Sequence, residues 1–458
     1  MKISDIIARQ RQFFQSGATR PLEFRRAQLE KLAVLLETRE VDLLAALHTD
    51  LRKSPHEAYV SETGFVLGEI RHALRNLSSW MKPERRRSPW LSWPARSHVR
   101  PEPYGVALII GPWNYPLQLL FSPLVGAIAA GNCAVLKPSE FAPHTAEVMD
   151  EMIRSVFPEN YLTIIRGERE TSEALLREKF DTIFFTGGTE TGRVVMSAAA
   201  RHLTPVTLEL GGKCPCIVCH DAPLEITARR ILWGKFLNAG QTCVAPDHVW
   251  VDSRIAPALL AVMKNTLREF YGEFPQQSPD YGRVINSRHF ERLRAYLQDG
   301  KIHCGGDCDA GDLYIAPTIL TNCEWHSPVM TEEIFGPVLP VLEFSDLDEV
   351  LANLRDRPKP LAVYLFTRDR AARENVISQT QSGGVCVNDT ILQILGSDLP
   401  FGGVGESGMG NYHGRASFDC FSHTRTVMVR PLGMDQKFRY PPPGITLEWL
   451  KRLLRFLG

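Results

Sequence analysis

The sequence predicts an α/β protein with a doubly wound sheet, followed by a second α/β domain. Three observations predict it. From Tyr104 onward, short β-branched runs alternate with longer stretches of helical periodicity, as in successive βαβ units. The alternation begins again after Cys216. The 458 residues are also enough for about three domains of typical size.

The elements follow in order. Met1 to Gly17 sets Ile3, Ile6, Ile7, Phe13 and Phe14 at helical spacing, and Pro21 to about Met81 repeats Leu29, Leu32, Leu35 and Leu36 at three- and four-residue intervals, so the opening is helical. Lys82 to Pro103 mixes five arginines with Pro83, Pro89, Pro94, Pro101 and Pro103, Trp90 and Trp93, and is expected to be an excursion without a helix. Strands are expected at Val106 to Ile110, Ala134 to Leu136, Leu162 to Ile165, Thr182 to Phe185 and Val206 to Leu210. Helices are expected between them at Leu117 to Ala130, Thr145 to Val156, Ser172 to Phe180 and Arg193 to Ala200. The second series runs through Val249 to Val251, Leu259 to Tyr271, Val338 to Leu342, Ala362 to Phe366 and Val385 to Val387.

Composition narrows the function. Lys plus Arg equals Asp plus Glu at 52 each, so no basic field points to nucleic acid and no acidic excess to disorder. The arginines of Lys82 to Pro103 therefore read as a solvated or subunit-contact surface. Ten cysteines without a regular framework fit reduced thiols in the cytoplasm. Met1 to Gly17 has no h-region and cleavage site, and no stretch reaches the roughly 18 apolar residues that span a bilayer.

Among the motifs, Cys243 lies in Gly240-Gln241-Thr242-Cys243-Val244-Ala245-Pro246, 34 residues after Glu209 in Leu208-Glu209-Leu210-Gly211-Gly212-Lys213. A thiol can collect an acyl group, and a carboxylate in reach can activate water against it. Either residue alone is more simply an inert core thiol or a surface charge. Phe185 to Arg193, with Gly187, Gly188, Thr189 and Gly192, joins a strand to a helix and could cradle a pyrophosphate or merely turn tightly. Arg193 and Val194 stand where a Walker A loop needs Lys and Ser or Thr, which excludes ATP hydrolysis of that type. Pro112-Trp113-Asn114-Tyr115-Pro116 follows a strand, where the Asn114 amide could donate to an oxyanion or cap a helix. Cys216-Ile217-Val218-Cys219-His220 matches a haem-attachment pattern, yet its apolar pair reads as a buried strand. Cys304 and Cys308 with His303 are an equally weak metal signal, and no metal is expected.

These segments, with Leu136-Lys137-Pro138-Ser139-Glu140, Glu332-Glu333-Ile334-Phe335-Gly336-Pro337 and Pro400-Phe401-Gly402-Gly403, resemble the aldehyde dehydrogenase superfamily in content and order. Within it the chain resembles the class 3 branch, whose members are usually dimeric and oxidise fatty, medium-chain and aromatic aldehydes.

The resemblance implies an aldehyde dehydrogenase-like fold: a Rossmann-type NAD(P)-binding domain over 1–82 and 103–209, a catalytic domain over 210–410, a small oligomerisation element over 83–102 and 411–443, and an amphipathic tail over 444–458. It implies Cys243 as nucleophile, Glu209 as general base, and Asn114 with the Cys243 N–H as oxyanion hole. Lys137 is implied at the adenosine ribose, Gly187, Gly188, Thr189 and Gly192 at the pyrophosphate, and Glu333 with Phe335 at the nicotinamide ribose. Trp113 and Leu210 are further cofactor contacts. Glu140 near the ribose 2′-OH would favour NAD, but class 3 relatives with this Glu use both cofactors, so NAD or NADP is expected. Gly188 and Cys214 replace residues usual in the family, which puts cofactor affinity in question but not the chemistry.

The implied activity is NAD(P)-dependent oxidation of an aldehyde to a carboxylic acid. A relative that passes the acyl group to coenzyme A would generally lack Glu209, and a non-catalytic dinucleotide-binding protein would not keep Cys243, Glu209 and Asn114 together. The implied partners are an aldehyde and a second copy of the chain, without nucleic acid. The tail Leu447 to Leu457 is basic and apolar at helical spacing, so a helix docked on the protein and one in weak peripheral contact with a membrane both remain open.

Overall fold

Helices form at the start because leucines recur on one face of each segment. In the computed structural model, which describes all residues except Met1, 436–438 and Gly458, helices span Ile3–Gln15, Leu22–Thr38 and Glu40–Leu51. A fourth run begins at Pro55–Ala58, passes through a π turn at Tyr59–Thr63 and continues as Gly64–Trp80. Leu29, Leu32 and Leu36 are fully buried and share one core with the strands that follow.

The first sheet has six strands. Val106–Ile110, Cys133–Lys137, Leu162–Ile164, Thr182–Thr186 and Val206–Glu209 pair in parallel, and Gly408–Met409 adds an antiparallel edge beside Val206–Glu209. From the far edge inward, the order of the parallel strands along the chain is third, second, first, fourth, fifth. It reverses between Val106–Ile110 and Thr182–Thr186, so the connections leave on opposite faces and open a crevice at the carboxyl ends of those two strands. Helix Gln118–Ala130 is buried on every side, which explains why its sequence is apolar all round.

The second sheet has seven strands, in the order Lys301–Cys304, Thr318–Thr321, Val338–Phe344, His248–Asp252, Pro215–Val218, Ala362–Phe366 and Gly384–Val387. Only the first of these is antiparallel to its neighbour. Cys216 is a buried strand residue here, and among the described residues no group of His, Cys, Asp and Glu is arranged to hold a metal.

The arginine- and proline-rich excursion becomes Glu84–Arg86 and Arg96–Pro103, which form a three-stranded antiparallel sheet with Ser422–Val429. The segment before Ser422 departs from the grouping expected from sequence. Tyr412, Phe418 and Phe421 enter the first core, and helix Gly414–Cys420 packs on helix Gln118–Ala130 where Gly126 leaves no room for a side chain: a Cβ there would lie 2.7 Å from that of Ser417. Gly408–Met409 likewise belongs to the first sheet, not the second. The tail forms helix Leu447–Leu457, and none of its described side chains is buried. Among the described residues, no helix is long and apolar enough to cross a membrane.

Candidate active site

The crevice at the strand reversal opens into a cavity of about 220 Å³. Trp113 and Asn114 line it from the end of strand Val106–Ile110, and Gly187 and Gly188 from the end of Thr182–Thr186. Glu209 and Leu210 line it from the end of Val206–Glu209, and Cys243, Glu333 and Phe335 from the second domain. Nine of the residues singled out in the sequence thus meet around one space.

One side of the cavity suits a dinucleotide. Helix Thr189–Ala200 starts at Gly188 with no side-chain cap, leaving its first N–H groups free for a phosphate. Gly187 packs over the Phe185 ring, 2.6 Å from where a Cβ would stand. Trp113 meets the Phe335 ring edge-on at 5.4 Å and lies 5.3 Å from the His289 ring, forming an aromatic wall. Phe335 holds φ at 48°, a strained value for a bulky residue. Glu333 lies against Gly211, where a Cβ would stand 2.1 Å from its carboxylate, and its buried Oε1 has no partner. Burial raises the Glu333 carboxyl to about 7. That orphaned acceptor and the uncapped helix end fit the ribose hydroxyls and phosphates of NAD or NADP.

Four of the expected cofactor residues lie outside the cavity lining. Lys137 is buried at the end of the neighbouring strand, donating to the Pro138 carbonyl at 2.7 Å and standing 3.6 Å from Glu140. Burial lowers its ammonium pKa. Thr189 donates to the Glu406 carbonyl at 3.2 Å. Gly192 makes room for Leu210, whose methyl would lie 2.6 Å from a Cβ at that position.

The other side of the cavity carries reactive groups. Cys243 follows a turn in which Asn238, Ala239 and Gly240 hold φ at 52°, 51° and 75°. Gly240 is required there, because a Cβ would stand 2.3 Å from the Gly336 carbonyl oxygen. The thiol is half-buried, and burial first, then Glu333 and Glu209, push it up to about 12. Glu209 is buried with neither carboxylate oxygen partnered, and burial holds it well above the usual carboxylate range. Leaving such a group unsatisfied costs stability. The Asn114 amide lines the cavity and donates one hydrogen to the Gln241 carbonyl at 2.9 Å.

Several supports had no sequence signal of their own. Gln241 ties the nucleophile turn together, donating to Asn238 and Arg283 carbonyls at 3.0 and 2.9 Å and accepting from the Ile285 N–H at 2.9 Å. Arg292 holds the Glu333 turn through the Glu333 and Ile334 carbonyls at 3.2 and 2.8 Å. Lys213 braces it from behind, bonded to Asp247 and to the Val329 and Glu332 carbonyls. Cys214 donates its thiol hydrogen to the Cys243 carbonyl at 3.4 Å. Apart from Asn238, three positions from Gln241, these partners come from 29 to 119 positions away, and motif spacing carries no information on them.

The aldehyde dehydrogenase family model matches residues 1–427. The chain belongs to the aldehyde dehydrogenase family. It is 47% identical to aldehyde dehydrogenase family 3 member A2 of Rattus norvegicus over 98% of this chain and 93% of that one. It is 46% identical to the dimeric NADP-preferring aldehyde dehydrogenase of Canis lupus familiaris over 96% and 98% respectively. A solved structure of the substrate-bound state of Staphylococcus aureus AldH superimposes with a TM-score of 0.97 at 42% identity, covering 99% of this chain and all of that one. This aldehyde dehydrogenase is therefore similar to class 3 members and oxidises aldehydes with NAD or NADP as cofactor.

Proposed function

We propose that Cys243, Glu209 and Asn114 carry the oxidation of medium- and long-chain aliphatic or aromatic aldehydes to carboxylic acids. The observation that carries this reading is the unpartnered Glu209 carboxylate facing the same cavity as the Cys243 thiol. Having given its proton to solvent, the Cys243 sulfur adds to the aldehyde carbon, and the carbonyl π pair passes to the oxygen. The free N–H of Asn114 and the Cys243 backbone N–H hold the oxyanion that forms. When bound, the dinucleotide supplies positive charge and the hydride acceptor that converts the thiohemiacetal to a thioester. Glu209 then takes a proton from water as it attacks the thioester carbon, releasing the acid and the Cys243 sulfur. Glu333 and Phe335 would hold the nicotinamide ribose, the Gly187 to Gly192 turn the pyrophosphate, and Lys137 with Glu140 the adenosine ribose.

A panel of aliphatic and aromatic aldehydes with each cofactor tests the activity, and no NADH or NADPH from any of them would end the reading. Glu209→Gln tests the division of labour. It is expected to keep the first burst of reduced cofactor while steady turnover falls by roughly 10²–10⁴. Equal loss of burst and turnover would place Glu209 before hydride transfer.

We also propose a cytoplasmic homodimer whose tail makes weak contact with lipid. Exposed Met428 and Val429 on the three-stranded sheet support a subunit contact. The exposed Leu447, Trp449 and Leu454 beside Lys451, Arg452 and Arg455 support the tail contact. Light scattering tests the dimer, cell fractionation the compartment, and liposome flotation with and without residues 447–458 the lipid contact.

A further inference from the structure

We propose that Lys53 and Glu62 form a buried pair that positions the Asn114 amide for catalysis. The proposal rests on the reading of Asn114 as oxyanion donor. Both side chains are fully buried, with Lys53 Nζ 2.5 Å from Glu62 Oε1. Glu62 lies in the π turn Tyr59–Thr63, an irregularity that often marks a functional position in a helix.

The pair grips the oxyanion segment at both ends. Lys53 donates a second hydrogen to the Asn114 carbonyl at 2.9 Å and lies 3.9 Å from the centre of the Tyr115 ring. Glu62 Oε2 accepts from the Leu117 and Gln118 N–H groups at 3.0 and 2.9 Å, where helix Gln118–Ala130 begins. The residues between are then tied to the nucleophile turn. Asn238 Nδ2 donates to the Asn114 carbonyl at 2.7 Å, the Asn114 amide to the Gln241 carbonyl at 2.9 Å, and the Tyr115 hydroxyl is bonded to Thr242 Oγ1 at 2.6 Å. Thr242 adjoins Cys243.

A buried ion pair is an expensive way to hold a fold, since well-packed apolar residues often do as well or better. What it offers is fixed direction. With its carbonyl held by two donors, the Asn114 peptide cannot rotate, and its amide keeps its remaining N–H toward the cavity. Misplacement by about 1 Å in such a site can cost roughly 10²-fold in rate.

Removing one charge alone would strand the other, so the test replaces both. Lys53→Met with Glu62→Gln removes both charges of the pair and keeps an acceptor for the Leu117 and Gln118 N–H groups. The pair is made in the wild-type and Asn114→Ala backgrounds, and burst rate, kcat, aldehyde KM, cofactor Kd and Tm are measured in each. In the wild-type background, burst rate and kcat are expected to fall roughly 10- to 100-fold, with aldehyde KM and cofactor Kd within about twofold. In the Asn114→Ala background the pair should cost nothing further, because the group it positions is gone. An equal loss in both backgrounds, or none in the wild type, overturns the proposal. Should Asn114→Ala itself keep a full burst, the oxyanion reading fails instead. If the double variant does not fold, Lys53→Arg keeps the ion pair, disturbs the Asn114 contact and supports the same comparison.

Discussion

The two halves of the active-site cavity are built in different ways. The cofactor half depends on backbone at its phosphate end, with an uncapped helix end at Gly188 and a turn at Gly187, and on Gly211 giving way to the Glu333 carboxylate beside the Trp113–Phe335 wall. The catalytic half is made of side chains from distant segments. Asn114 reaches 127 positions to the Gln241 carbonyl, while Glu209 comes from a strand of the first sheet and Cys243 from a turn packed on the second core. A half that depends on backbone tolerates small changes at its open points and fails where a Cβ has no space, whereas a half made of side chains fails group by group.

The largest expected effect breaks the catalytic half alone. Cys243→Ala should lower turnover by roughly four or more orders of magnitude while cofactor still binds, as cofactor fluorescence titration would show. Loss of both together would mean that the halves are not separable. Asn114→Ala should cost about 10²–10³ in kcat at nearly unchanged Tm. A large drop in Tm would make Asn114 chiefly structural.

In the cofactor half, Gly211→Ala should raise the cofactor Kd by about tenfold, since displacing Glu333 sacrifices one good contact of about 1.4 kcal/mol. Its acylated form, once made, should hydrolyse at the normal rate, and slower hydrolysis would show the two halves to be mechanically coupled.

Glu209→Gln probes stability across the same divide. Burial holds the Glu209 carboxyl well above its ordinary range, so the folded state binds the proton more tightly than the unfolded state. That contribution is present below the unfolded pKa of about 4.3 and is lost as pH rises through the raised value. The Gln variant, uncharged throughout, should therefore match the wild type near pH 4 and become more stable at pH 8, by about 1–2 kcal/mol. A difference in Tm independent of pH would remove the buried-charge explanation.

The smallest effect belongs to Gly188→Ser. No atom lies within 4 Å of a Cβ there, so the serine should fold normally and change the cofactor Kd by less than about threefold. A large loss would show that the cradle depends on this glycine for more than space.

The same contrast governs how much of the protein could be read from sequence. The parallel strands were legible because apolar runs such as Val106–Ile110 and Ala362–Phe366 are continuous and flanked by turn residues. Helix starts were less legible: helix Thr189–Ala200 begins four residues before the expected Arg193, because its first turn is built of Thr, Glu and Gly without an apolar face. Strand Gly408–Met409 was not legible at all. Two residues, one of them glycine, have no periodicity, and only pairing with Leu208 and Glu209 makes them a strand. Cys243, Glu209 and Asn114 stood out as side chains in unusual local settings, while Gln241 as a linchpin, Arg292 and the Lys53–Glu62 pair did not. Buried Lys and Glu look like surface charges until their partners are seen.

The sequence by itself determined the alternation of strands and helices, the family and the residue types that do chemistry, because each depends on neighbours along the chain. Tertiary structure decided which of those groups meet, which are held and which stay unpartnered. The proton affinity of Glu209 follows from burial without a hydrogen-bonding neighbour, and the aim of Asn114 from contacts 61 to 127 positions away. Desolvation and hydrogen-bond direction exist only after the chain has closed around the site.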